Sequence, residues 1–248
     1  MKLIATAADG LLEEARGTTP TKVADANKAP YHFTGRLDMT FPNGNKFLAT
    51  AILIGKKEGQ EESQYILTCA HNLYDKGEGG EATRVAFSPA MHNNSKPHGT
   101  IEHAALNYPA EFKRAAISHS VDTSLLGDEL VALANQHDYA IVKLKSTVKV
   151  DDIPVAVVQA DGELKNLALM MHAYGSLDTS MTEANGKVTK VAATELEYDI
   201  KAVVGDSGAG LMPNNKSVVA IQATKSPTHC TGVRITQAVK NNLDSWMS

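Results

Sequence analysis

Short segments rich in apolar and β-branched residues recur through the first half of the sequence, and turn signals separate them. These segments are residues 37–41, 47–54, 65–70 and 83–87. The first two are separated by Pro42-Asn43-Gly44, a combination typical of a tight turn between strands. Many short strands at this spacing predict an all-β barrel or sandwich. With 248 residues, the chain fits one large β domain or two lobes of about 100 residues each.

Composition and charge narrow the classes of partner. Hydrophobic residues make up 43% and charged residues 21% of the chain, which is ordinary for a globular protein. A net charge of −4 and the absence of a Lys/Arg cluster argue against a nucleic-acid partner or an anionic membrane surface. No apolar run is long enough to span a bilayer. We therefore expect neither nucleic acid nor a membrane span.

The N-terminal region and the cysteines say little about the compartment. Residues 1–30 are polar and are predicted to form an N-terminal extension or pro-segment outside the core. The apolar run near the start is shorter than the core of a signal peptide, so a secretory signal is not expected. Cys69 and Cys230 are too few for a disulfide framework, and buried free thiols are common. These features do not determine the cellular compartment, and an intracellular location remains open.

The motif GDSGAG at residues 205–210 places Ser207 between glycines. A serine hydroxyl needs a base to take its proton, and it needs backbone N–H donors aimed at the developing oxyanion. Glycine at 205 and 208 allows a turn tight enough for the N–H groups of Gly205 and Ser207 to point into one small hole. The motif therefore predicts a nucleophile with an oxyanion hole, and the alternative is an ordinary surface turn.

Two further segments supply a candidate base and a candidate carboxylate. His71 ends the apolar segment YILTCAH, and Asp138 opens the apolar segment DYAIVKL. A half-buried histidine at a strand end has a fixed ring that still reaches a substrate, and a carboxylate at the mouth of a buried strand needs a hydrogen-bond donor such as an imidazole N–H. If each residue is considered alone, His71 could have a purely structural role and Asp138 could be a solvated residue that precedes a strand.

The remaining histidines of the irregular region 88–136 do not form a metal-binding pattern. They are His92, His98, His103 and His119. None is spaced from another His, Cys or carboxylate as in a helix-borne or finger-type site, so no metal is expected. Within the same region, apolar residues at helical spacing predict a short surface helix at residues 124–136.

The chain order His71, Asp138, Ser207 is that of one arrangement of the catalytic triad. With the motifs above and the stretches ATAILIG at 49–55, LTCAHNLYD at 67–75 and GVRIT at 232–236, the sequence resembles the chymotrypsin/trypsin-fold serine proteases. Within that class it is most similar to the glutamyl endopeptidase (V8-like) branch. The resemblance extends from about residue 31 to the end of the chain.

The resemblance implies an all-β fold of two antiparallel β-barrels with a C-terminal helix. Residues 31–150 would form the first barrel with His71 and Asp138, and residues 151–248 the second with Ser207. Strands are expected within 156–175 and 187–223, with turns at Asn185-Gly186 and Pro213-Asn214-Asn215, and a closing helix at 237–246.

The implied activity is that of a serine endopeptidase acting through an acyl-enzyme on a protein or peptide, with no cofactor. Most relatives in the branch are secreted, which disagrees with the missing signal. The oligomeric state is not indicated. The alternative from another class is a catalytically weak or inactive protease-fold binding module. An esterase of α/β fold would carry its histidine last in the chain.

Specificity and activation are where the chain departs from the resembled branch. The threonine and histidine associated with glutamate recognition correspond to Ala202 and Gln222, and Lys201 occupies the place of the residue at the pocket base. Lys201 would attract an acidic side chain, pair with Asp206, or face solvent. Asp206 itself matches trypsin-like enzymes, in which this aspartate binds a newly cut N-terminal amine, so removal of the extension is a hypothesis for activation.

The support of the triad aspartate is a further departure. In the resembled enzymes a hydroxyl residue commonly supports this carboxylate. Ala223 corresponds to that residue, or Thr224 if the alignment contains a gap.

Overall fold

The predicted strands are present, and they close into two barrels. The computed structural model describes residues 18–119, 128–175, 179–225 and 229–248. In chain order the strands of the first half are β1 (Thr21–Lys22), β2 (Thr34–Thr40), β3 (Lys46–Leu53), β4 (Glu62–Thr68), β5 (Tyr74–Asp75), β6 (Gly80–Glu81), β7 (Arg84–Pro89), β8 (Ile101–Asn107) and β9 (Ala140–Lys149). The strands of the second half are β10 (Val155–Ala156), β11 (Ala168–Ala173), β12 (Thr182–Val191), β13 (Glu195–Tyr198), β14 (Gly210–Met212), β15 (Ser217–Val218), β16 (Ala220–Lys225) and β17 (Cys230–Arg234).

The helices of the described residues lie between strands or at the end of the chain. The α-helices are α1 (Ala110–His119), α2 (Asp128–Gln136), α3 (Asp161–Leu164) and α4 (Gln237–Trp246). Short 3-10 helices are formed by Ala70–Asn72 and Lys76–Glu78. Within the described ranges, no helix has the length and apolar character needed to cross a membrane.

The first barrel is closed and antiparallel, in the order β2, β3, β4, β9, β8, β7. Leu37 of β2 pairs with Ala49 of β3 on one side and with Phe87 of β7 on the other, which joins the ends of the sheet. Ile66 of β4 and Val142 of β9 pair across the sheet and are fully buried. Each such burial contributes about 1.5–3 kcal/mol, so the apolar side chains of these strands stabilise the barrel.

The second barrel contains six strands in the order β12, β11, β14, β16, β17, β13, closed by pairing of β12 with β13. Val188 pairs with Tyr198 at this closure. Together with the C-terminal helix α4, the two six-stranded barrels confirm the predicted fold class. The helix begins at its cap Thr236, whose hydroxyl accepts from the N–H of Val239 at 3.2 Å.

Helix α4 packs on the first barrel beside the segment that carries Asp138. Leu243 is fully buried, and the ring of Trp246 lies 5.8 Å from that of Tyr139, centroid to centroid. Asn242 Nδ2 also donates to the Tyr139 hydroxyl at 2.7 Å. The end of the chain therefore holds the residue that follows Asp138.

One of the two turns predicted in the second half of the chain needs correction. The turn predicted at Asn185-Gly186 is wrong, because both residues lie inside β12 and pair with Met170 and Leu169. A Cβ on Gly186 would lie 2.5 Å from Asp199 Oδ1, so the glycine serves a close approach within a strand and not a turn. By contrast, Pro213-Asn214-Asn215 does separate β14 from β15.

The helical region before Asp138 is larger than predicted. The helix expected at 124–136 is present as α2 from Asp128, and residues 120–127 lie outside the described part. Helix α1 was missed, although Pro109 directly before it and the buried pair Phe112 and Ala115 at i, i+3 spacing are helix signals. The two helices pack on one another between β8 and β9.

Residues 18–30 differ from the expectation of an extension outside the core. Strand β1 pairs with β12 through Thr21 and Lys22, and Val23 and Ala26 are buried in a cluster with Tyr174. The polar composition of the segment hid these contacts, because two small apolar side chains are enough to anchor it. Residues 1–17 lie outside the described part.

A buried imidazole lies beneath the end of this segment. His172 of β11 is 2% exposed, and the edge-on ring of Tyr31 lies 4.8 Å away. Its Nδ1 has no hydrogen-bond partner among the described residues. Burial lowers the pKa of His172 to about 4, so the ring is neutral in the folded protein near neutral pH.

We therefore expect acid to destabilise the protein through His172. As the pH falls from 6.5 to about 4, the unfolded chain takes up a proton at this residue and the folded protein does not. The free energy of unfolding should fall by about 1.4 kcal/mol per pH unit in this window. Urea denaturation of the wild type and His172→Gln at several pH values measures the difference, and equal pH slopes in the two proteins would contradict the expectation.

Candidate active site

His71 and Asp138 form a hydrogen-bonded pair at the edge of the first barrel. His71 lies in the 3-10 helix that follows β4, and Asp138 lies between α2 and β9. Asp138 Oδ2 is 2.6 Å from His71 Nδ1, and Oδ1 accepts from the His71 backbone N–H at 2.8 Å. The Asp138 side chain is 5% exposed and the His71 side chain 31%. The carboxylate is thus buried and bound on both oxygens, while the imidazole remains accessible.

The surroundings of His71 set its protonation. Burial by itself lowers the pKa of the imidazole, but the charge of Asp138 and the hydrogen bond to it outweigh burial, with a smaller contribution from Asp75. The pKa of His71 is therefore raised above its ordinary value of 6.5. A carboxylate on Nδ1 also keeps the proton of the neutral ring there, which leaves Nε2 as the free base.

Ser207 lies on a turn of the second barrel that requires its two glycines. Gly205 has φ +99° and Gly208 has φ +91°, a backbone region that L side chains rarely adopt. A Cβ on Gly208 would lie 2.2 Å from both Thr50 O and Thr68 Oγ1. The predicted tight turn is thus present, and Gly208 also permits the two barrels to meet.

Three buried polar residues of the first barrel hold this turn, and the sequence analysis did not find them. They are Thr50, Thr68 and Asn72. Thr50 donates its hydroxyl to Gly205 O at 2.9 Å and its N–H to Ser207 O at 3.0 Å. Asn72 Nδ2 donates to Ser207 O at 3.2 Å. Polar residues inside apolar strands were the available signal, but their partners are far away in the chain.

We expect Thr50→Val to destabilise the protein by about 2–4 kcal/mol. The substitution leaves Gly205 O without its donor and Tyr174 N–H, which donates to Thr50 Oγ1 at 2.9 Å, without its acceptor, and a buried unpaired polar group costs about 1–3 kcal/mol. Thr34→Val is the matched control, since Thr34 is also buried and its hydroxyl has no partner among the described residues. Denaturant unfolding should separate the two, and equal stabilities would contradict the role of Thr50.

A cleft with a volume of about 620 Å³ is lined by residues of both barrels. His71, Asp138 and Ser207 all line it, together with Gly205 and Gln222. In the described part of the chain, Ser207 Oγ makes no hydrogen bond to the imidazole, although both side chains line the cleft. Helices α1 and α2 contribute an apolar wall of Phe112, Ala116 and Ala134.

Of the three residues predicted to set specificity, Gln222 lines the cleft and the other two do not. Gln222 lines the cleft and is 3% exposed. Ala202 is buried and Lys201 is half-buried, and neither is among the described residues that line the cleft. The Lys201 N–H donates to Thr18 O at 3.2 Å, which joins this segment to the N-terminal one.

No hydroxyl from the second barrel supports Asp138 within the described residues. The Thr224 hydroxyl hydrogen-bonds that of Thr231, and Ala223 has none to offer. Both described hydrogen bonds of the Asp138 carboxylate are with His71. Neither alternative for the supporting hydroxyl therefore applies.

Cys69 lies close enough to the His71–Asp138 pair to raise the question of a metal. Ligand atoms of the three residues lie within 4.8 Å of one another. However, the Cys69 thiol donates to Gln222 O at 3.0 Å, and burial raises its pKa well above the ordinary value. A thiol held as a hydrogen-bond donor is a poor metal ligand, so we assign His71 and Asp138 to an imidazole–carboxylate pair and not to a metal site.

Comparison with known proteins identifies the fold. Neither a protein-family model nor a curated protein matches the sequence. A solved Glu endopeptidase has a TM-score of 0.69 at 18% identity, over 96% of this chain and 99% of that one. The protease Anisep from Arthrobacter nicotinovorans has a TM-score of 0.67 at 14% identity, over 92% and 99%. An inactivated protease paralogue from the scabies mite has a TM-score of 0.61 at 13% identity, over 91% and 96%.

These likenesses show that the chain has the trypsin-like protease fold. The predicted resemblance is confirmed at the level of fold, with a Glu endopeptidase among the similar structures. Because an inactivated paralogue shares the same fold, the fold alone leaves the activity to the chemistry of the site.

Proposed function

We propose that this protein is a serine endopeptidase that hydrolyses peptide bonds in protein or peptide substrates. The observation that carries the proposal is the His71–Asp138 pair, bound through both carboxylate oxygens, in the same cleft as Ser207 on its glycine-flanked turn. Residues 31–150 supply the base and its carboxylate, and residues 151–248 supply the nucleophile.

Each group has a defined role in the proposed reaction. Nε2 of His71 takes the proton of Ser207 as the serine oxygen bonds to the peptide carbonyl carbon, and Asp138 orients the ring and stabilises its charged form. The N–H groups of Gly205 and Ser207 donate to the oxyanion. His71 then protonates the leaving amine, and water activated by the same imidazole hydrolyses the acyl-enzyme. No metal or organic cofactor takes part.

The proposal is tested on the wild-type protein with two measurements. A fluorophosphonate probe should label Ser207 covalently, and peptide mapping by mass spectrometry locates the label. A mixed peptide library incubated with the protein should yield defined cleavage sites, read by the same method together with the protein's own N-terminus. Cleavage that begins only after an N-terminal cut would support activation by removal of the extension.

The second candidate function is a protease-fold module that binds peptides with weak or no turnover. It is favoured by the lack of a direct hydrogen bond between Ser207 Oγ and the imidazole in the described part. A serine of this kind would resist the probe, and library peptides would be retained but not cut. Labelling at Ser207 with cleavage excludes this alternative.

A further inference from the structure

We propose that Cys69 and Asn72, one on each side of the base in the sequence, are positioning residues that fix His71 relative to Ser207 across the two barrels. This inference rests on the proposed function and deepens it, because it assigns control of the reaction geometry to two side chains outside the triad. Neither side chain transfers a proton in this role, and both act through the residues that they hold.

The segment that carries His71 has little rigidity of its own. It is a single turn of 3-10 helix, Ala70–Asn72, closed by a hydrogen bond from the Leu73 N–H to Ala70 O at 2.9 Å. Hydrogen bonds in such short turns have poor geometry and stabilise them weakly. The place of the imidazole therefore depends on the bonds that this segment makes to its surroundings.

Asn72 binds the backbone carbonyl of the nucleophile. The residue is 2% exposed, and its Nδ2 donates to Ser207 O at 3.2 Å and to Thr68 Oγ1 at 3.0 Å. Exchanging the two ends of the amide would place an oxygen against the Ser207 carbonyl, so this neighbour sets the orientation. The residue directly after His71 is thus hydrogen-bonded to Ser207 itself.

Cys69 makes a second connection on the other side of the base. The thiol is fully buried, and burial raises its pKa, so it keeps its proton and donates to Gln222 O at 3.0 Å. The same carbonyl accepts from the Gly208 N–H at 2.9 Å. The residue after the nucleophile and a residue just before the base therefore share one acceptor.

These two contacts differ from those that Thr50 makes to the nucleophile turn. Thr50 belongs to β3 and fixes the turn relative to the first barrel, not relative to the imidazole. In the described part of the chain, the hydrogen bonds from residues 69–73 to the second barrel are those of Cys69 and Asn72. We therefore assign the separation of base and nucleophile to this pair.

The separation matters because the two reacting groups lie on different barrels. A general base works within about 2.6–3.2 Å of the proton that it takes, and a misplacement of about 1 Å lowers the rate by about 10²-fold. Loss of either contact should therefore slow the chemical step and leave substrate binding almost unchanged.

The test compares Asn72→Leu, Cys69→Ala and Cys69→Ser with the wild type. Leucine keeps the branched shape of asparagine and removes the donor, alanine removes the thiol, and serine restores a donor at the same place. We expect kcat for peptide cleavage to fall about 10- to 100-fold in Asn72→Leu and Cys69→Ala with little change in KM, and Cys69→Ser to recover most of the loss. Full kcat in Asn72→Leu and Cys69→Ala would overturn the inference.

The pH profile separates loss of position from loss of the base. Asp138 still binds the imidazole in these variants, so the acidic limb of kcat/KM should stay at the pH of the wild type. A limb displaced by one pH unit or more in Asn72→Leu would mean that the substitution changes the imidazole itself, and would overturn the positioning role.

Ser63→Ala is the matched control for general destabilisation. Ser63 is buried at the start of β4, its hydroxyl donates to Ile54 O at 2.7 Å and accepts from the Tyr65 N–H at 3.1 Å, and it is not among the described residues that line the cleft. The substitution should lower stability and leave kcat unchanged. An equal loss of kcat in Ser63→Ala would contradict a specific role for the pair.

Hydrogen exchange of backbone amides, read by mass spectrometry, tests the two contacts without turnover. Amides of residues 205–209 should exchange about 10-fold faster in Asn72→Leu and Cys69→Ala than in the wild type or Ser63→Ala. If the wild type cuts no peptide and this difference is found, the endopeptidase is rejected and the positioning contacts are kept. If peptides are cut with unchanged kcat and exchange is also unchanged, the positioning role is rejected and the endopeptidase is kept.

Discussion

Replacing Ser207 with alanine should lower kcat for peptide cleavage by about 10⁶-fold, because the substitution removes the atom that forms the acyl-enzyme. The variant should still bind the peptide, because the backbone N–H groups of residues 205 and 207 can still donate to the peptide carbonyl. KM should therefore change far less than kcat. Single-turnover assays with mass spectrometry measure the loss directly.

The Ser207→Ala substitution should leave the fold intact. The hydrogen bonds of residue 207 to Thr50 and Asn72 use its backbone carbonyl, which alanine retains. Ser217→Ala, in β15 of the same half of the chain, is the matched control and should keep full activity. Cleavage that persists in Ser207→Ala with equal kcat would assign the activity to another residue or to a contaminant.

Replacing Asp138 with asparagine should lower kcat by about 10⁴-fold. In the wild type, the Asp138 carboxylate accepts from both the backbone N–H and the Nδ1–H of His71. An asparagine can place its oxygen against only one of them. If the oxygen keeps the backbone N–H, the amide N–H₂ faces Nδ1, which moves the ring proton to Nε2. An Nε2 that already holds a proton cannot take one from Ser207.

The pH dependence of the rate gives an independent reading of the same pair. In the wild type, kcat/KM should fall as the pH drops through the raised pKa of His71, above 6.5, since only the neutral ring acts as base. Asp138→Asn removes the larger of the two charges that raise this pKa, so its acidic limb should move to lower pH. Asp75→Asn, the control, removes the weaker charge and should shift the limb only slightly. An unchanged limb in Asp138→Asn would contradict the assignment of His71 as the base.

The all-β class followed from local patterns. Segments rich in apolar and β-branched residues, such as 47–54, indicated where strands lie, and the turn at Pro42-Asn43-Gly44 indicated where strands end. The three candidate catalytic residues were also visible locally, since each lies at the end of an apolar segment or between glycines. Such signals are readable because they depend on neighbours in the sequence.

The sequence-based predictions were wrong where the same local pattern is compatible with two structures. Asn185-Gly186 is good turn chemistry, but the glycine is needed inside β12 for the close approach of Asp199. The segment 18–30 is polar overall, yet Val23 and Ala26 are buried. Composition averages over residues, whereas a few well-placed contacts decide whether a segment packs.

The sequence by itself determined the all-β class and the order in which His71, Asp138 and Ser207 occur, and through the resemblance that these motifs carry it implied two barrels. Only the tertiary structure decided that Thr50, 155 residues away from Gly205 in the chain, holds the nucleophile turn, and that Gln222 lines the cleft while Lys201 and Ala202 do not. The physical reason is that strand and turn preferences act over a few residues. Hydrogen bonds between barrels depend on how two independently closed sheets meet, and no local pattern encodes that distance.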